Sequence, residues 1–184
     1  MINPISIGNR IYFRPIELDD IDKGWQKWIN DENSNEFLDG VFPVSKDNLL
    51  KYYSDNQPPH SVIFSICDKS NDKYFGNAKL GSIDWINRRC TYGRLIGLEE
   101  YKNKGFGTEA LILLVKYGFS KLGMNRIYSG AIEDNIASLK SNEKVGFVRE
   151  GIQRNAIWRN GKFNNIVSLA ITRDDFIKKY GKEL

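Results

Sequence analysis

Apolar residues recur along the chain in two rhythms, one of period two and one close to 3.6, and their alternation outlines the elements. Asn9–Ile16 (NRIYFRPI) alternates well enough for a strand, which Pro15 ends. Ile21, Trp25, Trp28 and Ile29 keep helical spacing up to Asn30, with Asp19 or Asp20 placed to cap that helix. Ser45 opens a second helical stretch, SKDNLLKYYSD, and Pro58-Pro59 halts the chain before the next strand. Between the two helices, Phe37–Pro43 reads as an irregular loop with glycine and aromatics.

Strand-like runs follow at Ser61–Cys67, Tyr74–Trp85 and Cys90–Leu98, joined by the turn chemistry of DKSNDK and INRR. Gly76 and Gly81 are placed to bend the long middle run. Thr108–Leu122 (TEALILLVKYGFSKL) is apolar around most of its circumference, which predicts a helix buried against a sheet and ended by Gly123. Asn125–Ile132 reads as a strand, Asn135 caps a short helix to about Lys144 that Gly146 closes, and Phe147–Glu150 begins another strand. Asn160-Gly161 signals a hairpin between Ile157–Arg159 and Lys162–Ile171. Thr172 with Asp175 forms a capping box for a C-terminal helix. The order β-α-α-β-β-β-α-β-α-β-β predicts an α/β (α+β) chain with a mixed, largely antiparallel sheet and helices on both faces. The first half lacks the alternating βαβ units of a doubly wound dinucleotide fold.

At 184 residues the chain reads as one domain, 1–184, whose core needs no metal or disulfide staple. The net charge of +4 is unremarkable, but its distribution is not: residues 1–60 hold 6 Lys/Arg against 10 Asp/Glu, and the remainder 21 against 13. An anionic cofactor on the basic part and a cationic amine near the acidic part fit that layout, as does an unevenly charged solvated surface. Cys67 and Cys90 lie in apolar runs without metal-ligand spacing and read as buried thiols in a reducing compartment. His60 is the single histidine, which excludes a histidine-rich metal site. No apolar run of about 18 residues and no leader-like segment occurs, so the expectation is a soluble, cytoplasmic protein with no membrane partner. Basic and aromatic residues are not interleaved as a stacking platform would need, so no nucleic-acid partner is expected.

The most informative stretch is Leu95–Ala110, LIGLEEYKNKGFGTEA. A strand runs into a loop freed by Gly105 and Gly107, and a helix starts near Thr108, so unpaired N–H groups and a positive helix end converge there. Lys102 and Lys104 add charge, and the physical expectation is a pyrophosphate site. Neither GxxxxGK[ST] nor GxGxxG is present, and a Gly-rich turn with solubilising lysines is the plain alternative.

Lys102–Gly107 (KNKGFG) resembles the acyl-CoA signature (Gln/Arg)-x-x-Gly-x-(Gly/Ala) of the GNAT family of N-acetyltransferases, with Lys102 departing at the first position. The continuation GTEA, then Asn135-Ile136-Ala137-Ser138, Glu143–Phe147 and Glu150-Gly151, is similar to the branch of ribosomal-protein alanine and spermidine N-acetyltransferases. Arg10–Arg14, Trp28 and Asn30-Asp31 resemble its opening strand and helix, so the likeness spans nearly the whole chain. It implies a GNAT-like sheet with a splayed central strand pair, acetyl-CoA as co-substrate, no metal, and acetyl transfer to a primary amine by direct attack in a ternary complex.

Carried over position by position, the resemblance puts the pantetheine arm along Ile96, Gly97 and Leu98, with the N–H of Ile96 or Leu98 polarising the thioester carbonyl. Lys102, Asn103, Lys104, Gly105, Phe106, Gly107 and Thr108 would hold the pyrophosphate, Asn135 the pantetheine or nucleotide portion, and Lys144 the nucleotide phosphates. Many relatives place a Tyr acid where Asn142 stands, so Ser138 is the nearest hydroxyl to serve as donor to sulfur. The carboxylate many relatives carry on the fourth strand is replaced by Thr91. Asp84 is the substitute base, Glu99, Glu100 and His60 are alternatives, and transfer to solvent needs none of them. Trp28, Phe37, Phe42, Trp85 and Trp158 are candidate walls for the acceptor, a small-molecule or peptide amine: protein N-terminus, polyamine or amino sugar. The missing Tyr and Glu leave a non-catalytic acyl-CoA-binding module as the alternative, and a homodimer stays open.

Overall fold

The computed structural model describes residues 1–35, 37, 40 and 42–181, with the backbone alone at 33 and 35. Among the described residues one sheet of eight strands forms: β1 (Ser6–Ile7), β2 (Ile11–Pro15), β3 (Val62–Asp68), β4 (Tyr74–Asp84), β5 (Arg89–Ile96), β6 (Arg126–Ile132), β7 (Val148–Arg159) and β8 (Lys162–Thr172). Their order across the sheet is β1-β2-β3-β4-β5-β6-β8-β7. Every neighbouring pair is antiparallel except β5 with β6. The helices are α1 (Gln26–Asn30), α2 (Glu32–Asn35), α3 (Lys46–Asp55), α4 (Phe106–Ser120), α5 (Ile136–Val145) and α6 (Arg173–Tyr180).

Successive strand residues point to opposite faces, and β3 shows the two cores this creates. Phe64 joins Phe13, Leu80, Leu111, Leu114 and Phe119 under α4, whereas its neighbour Ile63 joins Ile16, Ile21, Trp25 and Leu49 under the N-terminal turns and α3. The helix expected over Ile21–Asn30 is broken: a wide turn over Ile21–Trp25 precedes α1, because Gly24 takes φ 151° and leaves helical space. That segment is anchored by a buried ion pair, Arg14 Nη2 to Asp20 Oδ1 at 2.6 Å, with Ser65 Oγ donating to Asp20 Oδ2 at 2.7 Å. The two strand pieces expected after α5 are one continuous β7, with register shifts between Arg149 and Gly151 and between Gln153 and Ile157. The hairpin at Asn160-Gly161 has both residues at positive φ, as a tight primed turn demands. Both cysteines are buried and unpaired, and burial pushes the Cys90 thiol up to about 12.

Candidate active site

The site begins where a ladder stops. β5 and β6 pair only across Arg89–Thr91 and Arg126–Tyr128, and beyond those residues the strands part. Gly97 N–H donates to Phe75 O at 2.8 Å, toward β4. Strand alternation then turns the N–H groups of Ile96 and Arg94 the other way, into the gap. On the same side, Ser129 Oγ donates across to Tyr92 O at 3.3 Å. The gap opens into a cleft of about 440 Å³ bounded by β5, β6, the Lys102–Thr108 loop and the start of α5.

At its outer end the loop turns through Asn103 (φ 57°) and Gly105 (φ 84°), and α4 starts at Phe106, two residues before the expected Thr108. The first intrahelical bond is Glu109 N–H to Gly105 O, 3.0 Å, so the N–H groups of Phe106, Gly107 and Thr108 precede it and have no helical acceptor. A Cβ added at Gly107 would meet only Ile96 Cγ1 at 3.6 Å and Arg94 Nε at 3.9 Å, so the missing side chain is a cradle beside those donors. Lys102, Asn103, Gly105, Gly107 and Thr108 line the cleft. Lys102 Nζ lies 2.9 Å from Glu99 Oε2. Lys104 and Phe106 sit outside it and secure the loop: Lys104 O accepts from Arg10 Nη1 at 3.1 Å, and the Phe106 ring lies 4.1 Å beneath the Arg10 guanidinium. Gly97 and Leu98 also leave the lining, and of the three arm residues only Ile96 faces the cleft.

Sequence reasoning missed Arg94. Its Nη1 donates to Gly107 O at 2.8 Å, tying β5 to the first turn of α4, and burial draws its guanidinium below the usual range. The strand pattern alone marks position 94 as facing α4 but does not show that a cation ends there.

At the inner end, Asn135 caps α5, its side chain accepting from Ser138 N–H at 3.0 Å. Asn142, fully buried, connects two hydroxyls. Tyr92 O–H donates to Asn142 Oδ1, while Asn142 Nδ2 donates to Ser138 O at 2.9 Å and to Ser138 Oγ at 3.4 Å. Ser138 Oγ therefore accepts from inside, leaving its own proton for the cleft it lines. Burial raises the Tyr92 phenol, which keeps this chain protonated. Lys144 is exposed near the far end of α5 and does not line the cleft.

A second cavity, about 510 Å³, lies on the other side of β5 and shares Gly93, Arg94 and Leu95 with the first. Two molecules bound one in each would meet at those three residues. The expected walls need correction here. Trp28 is 4% exposed and packed so tightly on Gly97 that a Cβ there would stand 1.9 Å from its ring, because the indole fills the room glycine leaves. Phe37 lines the first cleft instead of the second. Trp85 sits at the β4–β5 hairpin, its Nε1 donating to Pro59 O at 2.9 Å, and lines neither cavity. Phe42 lines the second cavity and, with Trp158, an adjoining hollow. Residues 38, 39 and 41 of that loop lie outside the described residues.

Asp84 is also placed away from the site. It sits at the end of the sheet where β5 and β6 are still paired. Asn87 N–H (2.9 Å), Asn87 Nδ2 (2.7 Å) and Arg89 Nε (3.2 Å) hold its carboxylate and bring it down to about 2. Such a group is a hairpin cap and a poor base. Glu99 is paired with Lys102, Glu100 with Lys73, and His60 is exposed beside Pro59. Among the described residues no Asp, Glu or His lines either cavity, and no three or more His, Cys, Asp or Glu residues group as a metal site would need.

A molecule with a pyrophosphate at one end and an extended arm pairing like a strand fits the first cleft: helix-start donors, the Gly107 cradle and the gap-facing Ile96 and Arg94 N–H groups match it in order. The model for the acetyltransferase (GNAT) domain matches residues 10–148. A probable N-acetyltransferase of Bacillus subtilis, YjcK, is 29% identical over 180 residues, covering 91% of this chain and 97% of that one. The spermidine N(1)-acetyltransferase of Escherichia coli is 27% identical over 105 residues, 57% of this chain and 56% of that one. In fold, the chain is similar to a spermidine N-acetyltransferase from Vibrio cholerae solved with CoA and spermine: TM-score 0.84, 21% identity, 91% of this chain and 98% of that one. The chain belongs to the GNAT acetyltransferase family, an enzyme family whose acyl donor is acetyl-CoA.

Proposed function

We propose that the protein transfers the acetyl group of acetyl-CoA directly to the primary amine of a small molecule, both bound at once. The observation that carries this reading is the meeting of two cavities at Gly93–Leu95, where the unpaired edge of β5 presents backbone donors. Acetyl-CoA supplies an activated acyl carbon in a thioester. The N–H groups of Phe106, Gly107 and Thr108, together with Lys102, hold the pyrophosphate, and Ile96 and Arg94 pair with the arm. An N–H of this edge stands where negative charge develops on the carbonyl oxygen, a donor fixed before reaction.

The amine nitrogen bonds to the acyl carbon and the carbon–sulfur bond breaks; Ser138, oriented by Tyr92 and Asn142, keeps its proton and donates a hydrogen bond to the departing thiolate, which takes up one proton from water. The amine proton leaves to water, since the described lining offers no carboxylate. The alternative, a non-catalytic acyl-CoA-binding module, predicts CoA binding without turnover. Thiol release on adding acetyl-CoA and an amine separates the two. The buried thiols Cys67 and Cys90 fit a cytoplasmic setting. The outermost strand β7, with Val148 58%, Ile152 57% and Trp158 56% exposed, fits a homodimer contact that light scattering tests.

A further inference from the structure

The acidic excess of residues 1–60 suggests a cationic acceptor, but the cavity that receives the acceptor is built otherwise. Its walls are apolar and aromatic, among them Ile29, Phe42, Leu49 and Leu95. Among its described lining residues the charged side chain on this face is that of Lys79, because the Arg94 guanidinium turns to the opposite face of β5 to reach Gly107 O. Among the described acids of the N-terminal segment, Asp20 pairs with Arg14, Asp22 with Lys46 and Asp55 with Lys51.

Lys79 is the informative residue. Its Cα is the direct cross-strand partner of Gly93, where the two cavities join. Its side chain runs along β4 over Gly81, where an added Cβ would stand 2.9 Å from Lys79 Cε. The ammonium is fastened by neutral oxygens, Tyr52 Oη at 2.9 Å and Asn56 Oδ1 at 2.5 Å, and sits 4.7 Å from the Tyr52 ring centroid. An ammonium has three donors, and these bonds use two. Tyr52 accepts from Lys79 and so keeps its own hydroxyl proton to donate. A full positive charge, held in place with a donor to spare and a phenol beside it, is a seat for an anion. Above Gly93 no atom lies within 4 Å of where a Cβ would be, which leaves room for a substrate group between that seat and the reacting centre.

We propose that the acceptor is a small amino acid-like amine: a primary amine, an apolar or aromatic group for the cavity walls, and a carboxylate that binds Lys79 and Tyr52. This inference rests on the acetyl-transfer reading above. A polyamine would bring two or more ammonium groups toward Lys79, and like charges oppose binding there.

The test measures thiol release from acetyl-CoA with phenylalanine, phenylalaninamide and spermidine, compared at equal concentrations of neutral amine. Phenylalanine is expected to exceed both others by about tenfold or more in kcat/KM, the size of one charge-assisted contact. Lys79→Met raises the KM for phenylalanine by about tenfold and leaves that for the amide unchanged, whereas Lys79→Arg keeps the preference. Equal turnover of phenylalanine and its amide, or preference for spermidine, overturns the carboxylate seat while leaving acetyl transfer standing. Turnover of none of the three, and of no other amine, overturns both.

Discussion

Gly107 separates cofactor binding from folding, because the two respond to a side chain there in opposite directions. A methyl group at 107 meets Ile96 Cγ1 at 3.6 Å and Arg94 Nε at 3.9 Å, ordinary contacts, so the fold accommodates Gly107→Ala. Replacing glycine in a helix gains up to about 1 kcal/mol, a rise of roughly 2–4 °C in Tm for a chain of this size. The same methyl, and still more the isobutyl group of Gly107→Leu, stands where a phosphate must approach the first-turn N–H groups. Each charge-assisted hydrogen bond contributes about 1.5–3 kcal/mol. Losing two costs about 3–6 kcal/mol, a Kd for CoA weaker by on the order of a hundredfold to ten-thousandfold. Calorimetric titration with CoA beside a thermal melt reads both quantities on one preparation. A folded Gly107→Leu protein that binds CoA as tightly as wild type would refute the cradle.

Other outcomes follow from single contacts. Asp20→Ala leaves Arg14 buried without its partner and lowers unfolding stability by about 3–5 kcal/mol in urea titration. Burial raises the Asp20 carboxyl, but Arg14, Glu17 N–H and Ser65 outweigh it, and the net shift is downward. Its contribution is thus complete above the ordinary carboxylate range of about 4 and is lost as pH falls through the lower folded value, which acid melts of wild type and Asp20→Asn should show. Ser138→Ala lowers kcat by about tenfold to a hundredfold with KM for acetyl-CoA kept, whereas Asp84→Asn leaves kcat unchanged; the reverse pattern would restore Asp84 as the base. Gly97→Ala drives a methyl into the Trp28 indole and costs about 1–3 kcal/mol or more of stability, read by denaturant midpoint.

The parts of this molecule that were legible in the sequence are those specified by local chemistry. Gly105 and Gly107, the Asn135 and Thr172 caps and the Asn160-Gly161 turn each act within a few residues, and each stands where the spacing puts it. Gly24 shows the limit. Its neighbours keep helical spacing, yet φ 151° at one residue breaks the element, and only packing against Trp28 explains the break. β7 is largely exposed along its length, so no alternation marks it as one strand. The acceptor side was the least legible. Lys79, Tyr52 and Asn56 come together only because β4 pairs with β5 and α3 covers the sheet, so no motif unites them. The charge count of residues 1–60 likewise does not describe the cavity those residues help to enclose, because most of their carboxylates face solvent or pair with neighbours.

Direct transfer requires that the two cavities meeting at Gly93–Leu95 bring an acyl thioester and an amine together. The decisive measurement is made on purified protein with acetyl-CoA and a panel of amines, followed for free thiol and for N-acetylated product by mass. Amine-dependent thiol release matched one-for-one by N-acetylated product is the expected result. Tight CoA binding with no thiol release above background for any amine would contradict direct transfer and leave a binding module in its place.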